Sequence, residues 1–124
     1  MENTELCAAL FEALAAGNEA RVRALCTPDM QAIQNGNRPM NLNALLQFSA
    51  AVHGVVKNFR YEDAVRSATN TGFVEEHSVR GELPDGSSLN LRVCVVADVR
   101  DGKICSLREY LDTAAARGLA AALS

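Results

Sequence analysis

Leu89-Asn-Leu-Arg-Val-Cys-Val-Val-Ala-Asp-Val99 alternates with a period of two. Leu89, Leu91, Val93, Val95, Ala97 and Val99 fall on one side, and Asn90, Arg92, Cys94, Val96 and Asp98 on the other. That alternation belongs to a strand with one face against a core. The same period marks Phe59 to Ala68, Phe73 to Leu83 and Ile104 to Leu111. Turn residues separate these runs: Asn70-Thr71-Gly72, Pro84-Asp85-Gly86 and Arg100-Asp101-Gly102. The second half of the chain therefore reads as an antiparallel meander.

The first half has the helical period instead. Thr4 to Ala16 carries Leu6, Leu10, Ala13 and Leu14 on one stripe, with Thr4 as the cap and Gly17 as the stop. Asn18 opens a short second helix with Val22, Leu25 and Cys26, which Thr27-Pro28-Asp29 ends. Met30 to Gln34 alternates weakly, as a short strand, and Asn35 to Pro39 reads as a loop. A third helix spans about Leu42 to Val56, with Leu42, Leu45, Leu46, Ser49, Val52, His53 and Val56 on its inner stripe. The alanine-rich tail, Ala114 to Leu123, is expected to be helical. Helices followed by a meander define an α+β class.

Composition narrows the function classes. The 124 residues fit one domain, 1–124, and 48% hydrophobic with 22% charged residues is ordinary for a globular chain. No run of apolar residues is long enough to span a membrane, and MENTELCAALFEAL lacks the basic start and apolar core of a secretory signal. A net charge of -3 argues against a phosphate-binding surface, and 5% aromatic residues leave few platforms for stacking bases. Nucleic-acid and membrane partners are thus not expected. Cys7, Cys26, Cys94 and Cys105 form no CxxC pair, so they read as buried thiols of a cytoplasmic protein. The two histidines with Glu75 and Glu109 match no metal-ligand spacing, and neither a metal nor a cofactor is expected.

Strand register decides which polar groups turn inward, because a slip of one residue inverts every side chain. A three-residue loop at Pro84-Asp85-Gly86 pairs Leu83 with Ser87 and sets His77 opposite Val93 and Glu75 opposite Val95. Reading Arg100-Asp101-Gly102 the same way pairs Val99 with Lys103, Val93 with Glu109 and Leu91 with Leu111. Glu75, His77 and Glu109 then sit on a face otherwise made of Val93, Val95, Leu107 and Leu111. With strands about 4.8 Å apart, His77 and Glu109 are separated by roughly 10 Å at the backbone, with room for a small ligand or a water. Arg92 is placed at the rim as a partner for Glu109.

Several segments carry a family resemblance. They are Phe73-Val-Glu-Glu-His77, Gly81-Glu-Leu-Pro-Asp-Gly86, Val99-Arg-Asp-Gly-Lys-Ile104 and Leu107-Arg-Glu-Tyr-Leu-Asp112, with Leu14-Ala-Ala-Gly-Asn18 and Leu25-Cys-Thr-Pro-Asp29 at the start. Together they resemble the SnoaL-like branch of the nuclear transport factor 2-like superfamily, over nearly the whole chain. The resemblance implies a bent antiparallel sheet wrapped by three N-terminal helices around a cone-shaped cavity, most often in a dimer. It also implies small-molecule chemistry of the isomerase, cyclase or hydrolase kind, beside non-catalytic binders. Glu109 matches the acidic position of the family's R-[DE]-Y-x-D strand. Gln34 falls where the isomerases keep a general-base carboxylate. Ala32, Glu76 and Ser78 replace the Tyr and Arg-x-Asp positions of the epoxide hydrolases. Where isomerase relatives hold planar substrates between aromatic walls, this sheet face reads as mostly Val and Leu.

The expectation is a small-molecule-binding protein, a cofactor-independent isomerase, cyclase or hydrolase working by general acid–base catalysis. The alternative is a non-catalytic ligand-binding or dimeric assembly module. The candidate catalytic residues are His77, Glu109 and Glu75. The candidate substrate-binding residues are Gln34, His53, Val93, Val95, Leu107 and Leu111. The expected ligand is a small apolar or carbonyl-bearing molecule, and the expected partner is a second copy docked through the sheet, where Cys94, Val96 and Tyr110 lie outward.

Overall fold

The computed structural model describes residues 1–124. Its elements run α1 (Asn3–Ala16), α2 (Glu19–Leu25), β1 (Cys26–Gln34), β2 (Met40–Asn41), α3 (Leu42–Val55), β3 (Lys57–Ala68), β4 (Gly72–Glu82), β5 (Ser88–Arg100), β6 (Lys103–Leu111) and α4 (Arg117–Leu123). One six-stranded sheet has the order β2-β1-β6-β5-β4-β3. Helices on one face and strands in an open sheet make this an α+β fold. None of the helices is long and apolar enough to cross a membrane.

The helix boundaries follow from local chemistry. The helix α1 starts at Asn3 with Glu2 in extended conformation before it, so Thr4 lies within the first turn and is not the cap. Gly17, at φ 67°, ends it with the left-handed residue that a Schellman-type stop requires, and Asn18 N–H reaches back to the Ala13 carbonyl at 2.9 Å. Asn18 and Asn41 cap α2 and α3 by accepting from the backbone N–H of Arg21 and Ala44. The tail is turned through Ala116, and helix forms only from Arg117.

The sheet departs from a pure meander at β1, which pairs parallel to β6 and makes the sheet mixed. A parallel partner must come from far along the chain, so no local turn signal announces it. The strand also starts at Cys26, earlier than the Met30 read from alternation. Its register with β6 shifts between Cys26 and Gln31, and Pro28 occupies that irregular stretch, where its missing N–H costs no ladder bond. Met40 and Asn41, between the expected loop and the third helix, bond to Ala32 and Gln31 as the short edge strand β2.

The β4–β5 register agrees with the sequence reading. Leu83 N–H donates to Ser87 O at 2.9 Å, Gly86 sits at φ 87°, and His77 and Glu75 face Val93 and Val95. The β5–β6 turn does not. Arg100 pairs with Lys103 across Asp101 and Gly102, both at positive φ (52° and 76°), as in a two-residue type I′ turn. By itself that turn would flip β6 over. A bulge at Cys105 adds a residue between the Val99–Ile104 and Asp98–Ser106 pairs and restores the facing. Glu109 therefore still points inward, but opposite Val95, and Leu111 stands opposite Val93.

The core lies between this face and the helices. Leu6, Leu10 and Leu14 of α1, Leu46 and Val52 of α3, and Leu89, Leu91, Val93, Val95 and Ala97 of β5 are buried there. All four cysteines are free thiols, two of them, Cys7 and Cys26, fully buried. Gly72 opens β4 so close to β5 that an added Cβ would collide with the Ala97 carbonyl oxygen. Gly72→Ala is expected to cost roughly 1–3 kcal/mol, the usual range for overpacking, read as a lower urea midpoint at unchanged slope.

Candidate functional site

Between the sheet and α1, α3 and α4 lies a cavity of about 120 Å³. Strand alternation supplies its floor: Val93, Val95, Leu107 and Leu111 all line it, as the sequence indicated. Gln34 reaches it from the end of β1, Glu109 from β6 and His77 from β4. The α4 residue Leu119 closes part of one side.

Two of the expected site residues lie elsewhere. His53 is not on the cavity wall; its Nε2 donates to the Leu14 carbonyl at 2.8 Å and ties α3 to α1. The inner stripe of α3 is wide, and His53 occupies its α1 side while Leu45, Phe48, Ser49 and Val52 take the cavity side. Glu75 is buried behind the wall, 1% exposed, and its oxygens are taken by other partners. Its Oε2 lies 2.7 Å from His77 Nδ1, and its Oε1 accepts from Arg66 Nε at 2.8 Å and from Cys7 Sγ at 3.5 Å.

This arrangement fixes the state of Glu75 and the tautomer of His77. Burial works to raise the Glu75 carboxyl, but hydrogen bonds from His77 and Arg66 outweigh it and hold the group below the usual carboxylate range. An ionised Glu75 only accepts, so Nδ1 of His77 carries the proton of that bond. In the neutral ring Nε2 is then a lone pair, on a residue that lines the cavity. Cys7 is no nucleophile here: burial and then the charge of Glu75 push its thiol up to about 12.

Glu109 has the opposite environment. Its Oε1 accepts from Gln34 Nε2 at 2.8 Å, and no cation touches it. Arg92, read from sequence as its neighbour, points to the outer face and donates to Asp63 O and Ser78 Oγ. Burial raises the Glu109 carboxyl above its ordinary value, while the Gln34 bond and the nearby His77 pull the other way and do not cancel it. His77 and Glu109 do not bond to each other, because the β5–β6 register sets them in adjacent rows, across Val93 and Val95.

The wall is more aromatic than the sheet alternation implied. Four of the chain's six Phe and Tyr residues line it: Phe11, Phe48, Phe59 and Tyr61. They arrive from α1, α3 and β3, outside the strands whose alternation was the guide. Tyr61 packs its ring 4.6 Å from His77 and 5.3 Å from Phe11. Burial, then the charges of Glu109 and Glu75, raise the pKa of its hydroxyl. Tyr61 was legible in sequence only as a residue sharing a strand face with Phe59. No three His, Cys, Asp or Glu side chains are grouped to hold a metal ion.

The SnoaL-like domain family matches residues 7–107, and the chain belongs to that family. The same fold recurs in solved structures. A "putative polyketide cyclase" from Xanthomonas campestris pv. campestris is 22% identical, with a TM-score of 0.81 over 98% of this chain and 96% of that one. PrhC from Penicillium brasilianum NBRC 6234 is 14% identical, with a TM-score of 0.85 over 98% and 87%. A protein of ketosteroid isomerase-like fold from Catenulispora acidiphila DSM 44928, in complex with trimethylamine, is 14% identical, with a TM-score of 0.79 over 95% and 92%. No curated protein matches the sequence.

Glu75→Gln tests the buried hub. A group whose pKa is lowered by folding stabilises above its ordinary pKa and loses that contribution as pH falls through the lowered value. The variant is expected to lose about 2 kcal/mol at neutral pH, the scale of hydrogen bonds to a charged group. Denaturation across pH should show the gap closing in acid, below the ordinary carboxylate range.

Proposed function

We propose that the protein binds a small, largely apolar molecule in this cavity and acts on it by general acid–base catalysis without a cofactor. The observation that carries the reading is His77, whose Nδ1 is held by buried Glu75 while the ring lines the same cavity as Glu109. In this reading His77 Nε2 takes a proton from the substrate or from a water held beside it. Glu109, whose carboxyl burial raises above its ordinary value, gives a proton when in its acid form to an oxygen that gains charge. Both groups return to their starting states by exchange with water. Glu75 is a positioning residue that sets the ring and its tautomer, and Gln34 orients Glu109. Cavity shape selects the substrate through Phe11, Tyr61, Val93 and Leu107.

The polyketide cyclase and ketosteroid isomerase-like neighbours support a carbonyl-bearing substrate as the first class to try. Fold alone does not settle the reaction. A thermal-shift panel of small carbonyl compounds, followed by product analysis of every stabilising compound, identifies it. Replacing His77 with Ala, and separately Glu109 with Gln, is expected to lower turnover roughly 100-fold or more while leaving the fold intact. Stabilisation by ligands that emerge unchanged from every incubation would instead establish a binding module.

We also infer a homodimer through the outer face of the sheet. Tyr110 is 47% exposed there, on the face that also carries Val96 and Cys94. Sedimentation velocity over a wide concentration range should show dimer, and Tyr110→Glu should shift it to monomer. A monomer at every concentration would sink this inference.

A further inference from the structure

Charge separates the ligands this cavity accepts from those it refuses. No Lys or Arg lines it, and Glu109 is its one acidic residue. Arg66, the cation behind the wall, is bound to Glu75. The other titratable groups on the wall are Tyr61 from β3 and His77 from β4. Tyr61 brings no positive charge, and the Nδ1–H of His77 is donated to Glu75 in a hydrogen bond. From β1 Glu109 receives only the neutral amide of Gln34, at 2.8 Å. A carboxylate here has no cation bonded to it in the protein, and a charge withdrawn from water without one is costly. An incoming cation removes that cost; an incoming anion adds to it.

The rest of the wall favours the same ligand. Phe11, Phe48, Phe59 and Tyr61 line the cavity with aromatic rings, whose negative quadrupole attracts a cationic nitrogen. A cavity of roughly 150 Å³ is known to hold a benzene-sized guest, so about 120 Å³ suits a trimethylammonium-sized group. We propose that the cavity takes a small organic ammonium, an apolar body with one cationic nitrogen set between Glu109 and the aromatic rings, and rejects carboxylates and phosphates. The proposal rests on the reading of this cavity as the ligand site, but not on the ligand being turned over.

Three probes of similar shape test it: choline, its neutral analogue 3,3-dimethyl-1-butanol, and anionic 3,3-dimethylbutyrate. Calorimetric titration should show choline binding about tenfold more tightly than the alcohol, and no binding of the carboxylate. Lowering the pH through the titration of Glu109 should weaken choline binding and leave the alcohol unchanged, as the carboxylate takes up its proton. Glu109→Gln should erase the preference for choline, bringing its affinity to that of the alcohol. An NMR titration of Glu109 in the native protein gives a second readout, in which saturating choline lowers its pKa. Equal affinity for choline and the alcohol overturns the proposal, as does a preference that survives Glu109→Gln. In either case the reading of the cavity as a ligand site stands. Failure of all three probes to bind overturns the proposal and counts against that reading as well.

Discussion

Side chains alternate along a strand, so β6 offers the cavity either Glu109 or its neighbours Arg108 and Tyr110. The choice depends on how many residues lie between the β5–β6 turn and the ladder above it. The type I′ turn at Asp101-Gly102 is tight and well twisted for a hairpin, yet alone it would turn Arg108 and Tyr110 inward. Cys105, the bulged residue, corrects the count. Every acidic and apolar contribution of β6 to the cavity follows from that single unpaired residue. Arg108, kept outside, is free to bind Asp98 at 2.7 Å on the opposite face.

Two carboxylates one strand apart from Val95 thereby acquire opposite characters. Glu75 is the more buried, yet it is the one held ionised, because Arg66 and His77 both donate to it. Glu109 has only an amide to set against its burial, so burial dominates. The donors at Glu75 reverse what burial alone would do. The pair gives one fixed charge that orients a histidine and one adjustable group facing the cavity.

Much of this was legible in the sequence, for identifiable reasons. The Leu89–Val99 alternation and the Pro84-Asp85-Gly86 turn determined which side of β4 faces inward, and they placed His77 and Glu75 correctly against β5. The β5–β6 register was misread by two residues, because a three-residue loop and a two-residue loop with a bulge leave the same faces inward. His53 was misjudged since helical periodicity identifies an inner face without saying which neighbour it meets. Tyr61 and the aromatic side of the cavity went unrecognised because β3 is irregular. Its pairing with β4 shifts between Lys57 and Arg60 and again between Glu62 and Val65, with Asn58 and Asp63 at positive φ. Long-range partners such as Arg66 for Glu75, and β1 for β6, have no local signature.

The parallel seam between β1 and β6 also bears on how the molecule assembles. The hairpins from β3 to β6 join neighbours in sequence and form at low loop-closure entropy. Gln34 and Glu109 are 75 residues apart, and their contact exists only once the intervening sheet has been built. The cavity is therefore a late product of folding, completed when the first strand docks beside the last. A chain arrested before that step would hold a sheet and a histidine–glutamate pair, but no pocket for them to serve.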